Sequence, residues 1–127
     1  MKARPHTRCA TALLSAAVAV ALLVPASALA TTRHEPRGSG VRCRIRATKQ
    51  SGGITVTFWL NTSIPHRGWR VRIWDDDTLI FSKDRTTNAA GNIRVEKATP
   101  DQPGLDGFVA KARDVNSGAL CTVAVDV

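Results

Sequence analysis

From residue 41 to the end of the chain, apolar and polar residues alternate with a period of two, run after run. VRCRIRAT (41–48) sets Val41, Cys43, Ile45 and Ala47 against Arg42, Arg44, Arg46 and Thr48. ITVTFWLN (54–61) sets Ile54, Val56, Phe58 and Leu60 against Thr55, Thr57, Trp59 and Asn61. In WRVRIW (69–74), Trp69, Val71 and Ile73 share one face, and Arg70, Arg72 and Trp74 share the other. NIRVEKAT (92–99), FVAKARD (108–114) and ALCTVAVDV (119–127) repeat the pattern, and TLIFSK (78–83) is a shorter version of it. Side chains of a strand point alternately to its two faces, so this alternation predicts strands with one buried face. The stretches between them, SGG (51–53), TSIPHRG (62–68), DDD (75–77), TTNAAGN (86–92), PDQPGLDG (100–107) and VNSG (115–118), are turn chemistry. No run has a helical period. The expectation is an all-β, antiparallel, two-sheet β-sandwich of about seven short strands.

The first forty residues break this pattern. Lys2, Arg4 and Arg8 precede an apolar run that ends in Ala28-Leu29-Ala30. That is the layout of a secretory signal peptide, residues 1–30, with cleavage after Ala30. A transmembrane anchor is the alternative, but the stretch from Ala10 to Val24 is short for a span of about 20 residues, and Pro25 follows it. Residues 31–40, TTRHEPRGSG, read as a flexible leader. The domain is then 41–127, secreted to the extracellular side with no membrane span. The alanine-rich signal and the 13 Arg against five Lys are associated with bacterial origin.

Cleavage changes two counts. The signal segment holds three of the 18 Lys and Arg and none of the ten Asp and Glu, so the remaining chain carries +5 rather than +8. It also holds one of the three cysteines. Cys43 and Cys121 remain, an even number in an oxidising compartment, which predicts one disulfide. Both occupy inward positions, on the first and last strands. Free thiols or a metal pair are the alternatives, but no histidine accompanies either cysteine in sequence, as a zinc site would need.

The run TTNAAGNIRV and then PGLDGFVAKARDVNSGALC, within residues 86–127, resemble the back half of bacterial immunoglobulin-like and fibronectin-type-III-like domains. Gly91, Phe108, Ala112, Asp114 and Gly118 stand where those domains have a glycine turn, a corner aromatic, an A-x-D strand end and a glycine hairpin. The resemblance implies an immunoglobulin-like sandwich and a role in adhesion, spacing or ligand binding outside the cell. The chain departs from it at the corner, where tyrosine is usual; it contains no tyrosine, and Phe108 lacks the hydroxyl.

For catalysis the inventory is thin, and no enzyme activity or cofactor is expected. The histidines beyond the signal are His34, in the leader, and His66, in a loop; the glutamates are Glu35, in the leader, and Glu96, on an outward strand face. Neither set offers a nucleophile with its base or a carboxylate pair in a cleft. WDDDT could offer Asp75, Asp76 and Asp77 to a cation. Consecutive strand residues diverge, however, so a turn using Asp for local hydrogen bonds is expected and no metal site. NTS (61–63) matches the N-glycosylation pattern, which has meaning only on a eukaryotic secretory route.

The positive signal is the outward faces. Arg42, Arg44 and Arg46 on the first strand, Trp59 on the second, and Arg70, Arg72 and Trp74 on the third form candidate ligand-binding surfaces, with Lys111 and Arg113 on a later strand. Guanidinium beside exposed indole binds phosphate, sulfate or sugar rings by paired hydrogen bonds and stacking. Solvated strand faces that discourage edge pairing are the competing explanation. The expected function is a small non-catalytic binding module. Its partner would be an anionic polysaccharide or cell-wall polymer, or another extracellular protein, with no specific nucleic acid. The alternative is a secreted inhibitor of an extracellular hydrolase, presenting TSIPHRGW on a rigid sandwich.

Overall fold

The structure is a computed structural model that describes the backbone of residues 27–30 and the whole of residues 40–127. The rest of the expected signal segment and the leader through residue 39, including Lys2, Arg4, Arg8, His34 and Glu35, lie outside the described residues. The elements in chain order are β1 (Ser27–Ala30), β2 (Arg42–Gln50), β3 (Gly53–Asn61), β4 (Gly68–Asp75), β5 (Thr78–Thr86), β6 (Asn92–Thr99), β7 (Gly107–Asp114) and β8 (Leu120–Asp126). Two antiparallel sheets face each other, one in the order β1-β2-β3-β6 and the other β5-β4-β7-β8. The fold is the expected all-β two-sheet sandwich, and among the described residues no helix is long and apolar enough to cross a membrane.

Parity decides which residues meet in the middle. Every position expected to face inward on β2, β3 and β4 is buried, from Val41 through Ile73. Ile93, Val95, Phe108, Ala110, Ala112, Val123 and Val125 close the core from the other strands. Trp69, Phe58 and Phe108 are its largest fully buried side chains. Each contributes about 2–3 kcal/mol of transfer free energy. Cys43 and Cys121 are bonded as expected, with their Cα atoms 6.3 Å apart. The bridge joins β2 of one sheet to β8 of the other, so it staples the beginning of the sandwich to its end.

Two elements differ from the pattern in the sequence. β5 runs on to Thr86, well past the expected TLIFSK, as an edge strand whose residues are mostly exposed. Its Lys83, Asp84 and Arg85 put charge on that edge, which discourages pairing with other chains. A bulge between Ile73 and Trp74 of β4 shifts its register with β5, so that Ile73 pairs with Phe81 and Trp74 with Leu79. On the other sheet, β1 pairs antiparallel with β2 from Ser27 opposite Thr48 to Ala30 opposite Ile45.

Candidate functional site

The outward residues of β2, β3 and β6 form one surface. The register places Arg44 opposite Trp59, and Trp59 opposite Arg94. The Trp59 ring, half-buried, is therefore flanked from both neighbouring strands. The Arg44 guanidinium carbon lies 4.5 Å from the ring centroid, that of Arg46 5.6 Å and that of Arg94 6.0 Å. All are within cation–π range, where a guanidinium over indole gains about 0.5–1 kcal/mol at an exposed site. Below them Thr57, although outward by parity, is buried between its register neighbours Arg46 and Glu96.

Arg94 donates to Glu96 at 2.7 Å, but among the described residues Arg42, Arg44 and Arg46 form no ion pair. Next to this cluster is a depression of about 660 Å³, lined by Arg42, Arg44, Trp59, Asn61, Asn88 and Arg94 among others. Asn61 donates to the Asn92 side chain at its rim. Asn88 is fixed differently, its side-chain oxygen accepting from the backbone N–H groups of Ala90 and Asn92. The floor thus offers three guanidinium groups, a ring face and amides.

A second basic surface lies on the outer face of the opposite sheet. β4 and β7 pair with Arg70 opposite Arg113 and Arg72 opposite Lys111. Lys111 Nζ lies 5.4 Å from the Trp74 ring. These residues and Leu120 line a depression of about 650 Å³. Arg70 is spoken for: it bonds Asp84 across the β4–β5 pair, which holds that carboxyl below its ordinary value and raises the guanidinium further.

The seven candidate residues are thus divided between two faces. Arg42, Arg44, Arg46 and Trp59 come together on one; Arg70, Arg72 and Trp74 come together on the other. Arg94 was visible as an outward residue but not as a neighbour of Trp59, because its place depends on β3 pairing with β6, strands some forty residues apart. Asn88 joins the site from a turn, and only its asparagine–glycine chemistry hinted at a defined conformation.

The loop of residues 62–67 is built more tightly than its composition suggested. Ser63 and His66 have φ of 58° and 54°. Thr87 is the clamp: its hydroxyl donates to Ile64 O at 2.7 Å and accepts from Arg67 N at 2.8 Å, while its carbonyl accepts from His66 N at 3.1 Å. Thr62 N donates to Gly91 O at 2.9 Å. Arg67 reaches the buried Asp114, bonding both its oxygens from Nε at 3.1 and 2.9 Å. Burial pushes the Asp114 carboxyl upward, but bonds from Asn116, Ser117 and Arg67 outweigh it and hold the group below its ordinary range.

Asp75, Asp76 and Asp77 form the tight end of the β4–β5 hairpin, with Asp76 at φ 47°, but the bonds to their carboxylates are not the local ones the sequence suggested: Thr99 donates to Asp75 and the Gly107 N–H to Asp76. Comparison with family models, with curated proteins and with solved structures finds nothing that matches this chain.

Proposed function

We propose that the chain is a small secreted, non-catalytic binding module that grips anionic polymers of the cell envelope or extracellular space through its arginine–tryptophan faces. One observation carries this reading. Arg44, Arg46 and Arg94 surround Trp59, and two of those three guanidiniums have no carboxylate partner among the described residues. A solvated strand face needs only dispersed charge; it has no reason to gather three cations on one ring. Alternate residues of a strand stand about 6.8 Å apart, so Arg42, Arg44 and Arg46 make a straight rail. Such a rail fits phosphate, sulfate or carboxylate groups repeated along a chain, each taken by the guanidinium fork. The second face, through Arg72, Lys111 and Arg113, extends the same chemistry to the far side.

Several features support the wider reading. The disulfide suits an oxidising compartment and so supports secretion. A sheet of β2, β3 and β6 facing one in which β5 lies beside β4 supports the immunoglobulin-like resemblance, since variable-type domains extend the same sheet in that way. His66 is exposed, and the exposed Glu96 is paired with Arg94, which supports a non-catalytic role. The test is retention of the oxidised protein on an immobilised polyanion, with and without Arg44→Ser and Arg46→Ser together.

One observation favours the inhibitor reading. The loop of residues 62–67 is rigidly bonded and displays Ile64 at 48% exposure, the form a protein inhibitor gives its binding loop. Stoichiometric loss of activity in a panel of extracellular hydrolases would support it.

A further inference from the structure

We propose that Asp75, Asp76 and Asp106 form a binding site for a calcium-class divalent cation at the end of the sandwich where the β4–β5 turn meets the loop before β7. One carboxylate oxygen from each of the three lies within 4.8 Å of the others. Calcium takes oxygen ligands at about 2.3–2.6 Å, so oxygens on opposite sides of one ion stand about 4.6–5.2 Å apart. All three therefore fit one coordination sphere. This site is separate from the basic faces and does not depend on them.

Acidic side chains often cluster without a ligand. The distinguishing observation here is burial without partners. Asp106 is 1% exposed, and neither of its side-chain oxygens makes a hydrogen bond; Asp75, 8% exposed, leaves Oδ1 in the same condition. A buried carboxylate oxygen with no donor loses its hydration without compensation, and proteins seldom leave one so. The other oxygens are held in place. Thr99 donates to Asp75 Oδ2 at 3.0 Å, and Gly107 N donates to Asp76 Oδ1 at 3.1 Å. Asp76 N in turn donates to Gly107 O at 2.7 Å. Asp106 is fixed through its backbone, which exchanges hydrogen bonds with Val127 at 3.0 and 3.2 Å. The chain thus spends these donors on orienting Asp75 and Asp76, while Asp75 Oδ1 and the two Asp106 oxygens are left buried without one.

The charge around the site is unbalanced. Lys49 is the nearby cation, but it lies 3.4 Å from the more exposed Asp101 and 4.0 Å from Asp106 Oδ2, beyond hydrogen-bond reach of the latter. Asp126 adds a further carboxylate: its Oδ1, like that of Asp76, lies 3.2 Å from where a Cβ on Gly107 would stand. A bound divalent ion relieves this imbalance. Hard, all-oxygen donors from two separate chain segments suit calcium, which tolerates irregular geometry, better than magnesium or zinc.

The test is thermal unfolding and calorimetric titration of the oxidised, chelator-treated protein with calcium chloride, against sodium chloride at matched ionic strength. The variants are D106N and D76N. Calcium is expected to raise the unfolding midpoint by roughly 6–11 °C at ten times its dissociation constant, and further with the logarithm of its concentration above that. Each variant should cut that rise to less than half. D76N keeps an oxygen for the Gly107 N–H and a residue that tolerates positive φ, and Asp76 is exposed, so this variant carries the test if D106N does not fold. No calcium-dependent shift in the wild type, as when Asp106 simply holds a proton, overturns the proposal. So does a shift that survives in the folded variants.

Discussion

Reducing the disulfide between Cys43 and Cys121 should remove a large part of the protein's stability while leaving the folded sheets intact. The two cysteines are separated by 78 residues, so the bond closes most of the domain into one loop. In the chain-entropy model, a loop of that length removes about 15 cal/mol/K from the unfolded chain, or about 4.5 kcal/mol at 25 °C. A domain of this size is commonly stable by only about 5–10 kcal/mol. Reduction leaves both sulfurs in the core, where Cys43 and Cys121 are buried, so no cavity accompanies the loss. Urea unfolding of oxidised and reduced protein, followed by tryptophan fluorescence and far-ultraviolet circular dichroism, measures the difference. The account predicts an unchanged native circular dichroism spectrum. It also predicts a loss of about 3–5 kcal/mol and a steeper denaturant dependence, because the reduced unfolded chain exposes more surface. A loss below about 1 kcal/mol would refute the reasoning, since the unfolded chain would then gain nothing from being opened.

Two further outcomes are expected. The Asp114 carboxyl is held below its ordinary value, so its contribution is fully present above the unfolded-state value near 3.8 and is lost as pH falls through the lower folded one. Stability measured from pH 6 down to about pH 2 should therefore fall less steeply for D114N than for the wild type, with D114N weaker by about 2 kcal/mol at neutral pH; parallel curves would contradict the assignment. Gly91→Ala puts a Cβ 2.6 Å from Ile64 N at a φ of 79°. It should cost about 2 kcal/mol or more and loosen the loop of residues 62–67. Any hydrolase inhibition carried by that loop should weaken with it, which thermal unfolding beside an inhibition assay would check.

The strand plan was legible because each half-buried strand writes its own parity: Ile45, Phe58, Trp69 and Val123 are buried where alternation puts them. β5 was cut short in that reading because an edge strand with both faces largely in solvent has no alternation to show past Phe81. The pairing of Ser27–Ala30 with β2 left no mark, since four residues are too few to show an alternation. At the basic face, the arginines and Trp59 were visible one strand at a time. What gathers them is cross-strand register, which parity does not encode, and so Arg94 joined them only in three dimensions. Asp106 was hidden for a different reason. Within PDQPGLDG it looks like any loop aspartate, and its burial against Asp75 and Asp76 arises where two distant turns meet at one end of the sandwich.

The central claim is that the arginine rail beside Trp59 binds a polyanion, and the salt dependence of binding tests it most directly. Three guanidinium contacts to a linear polyanion should give a slope of log affinity against log salt of about −2, so a tenfold rise in salt weakens binding about 100-fold. The protein with Arg44→Ser and Arg46→Ser should bind immobilised polyanion at least tenfold more weakly at low salt, with the slope falling to about −0.7 or shallower. The same affinity and the same slope in that variant would contradict the account.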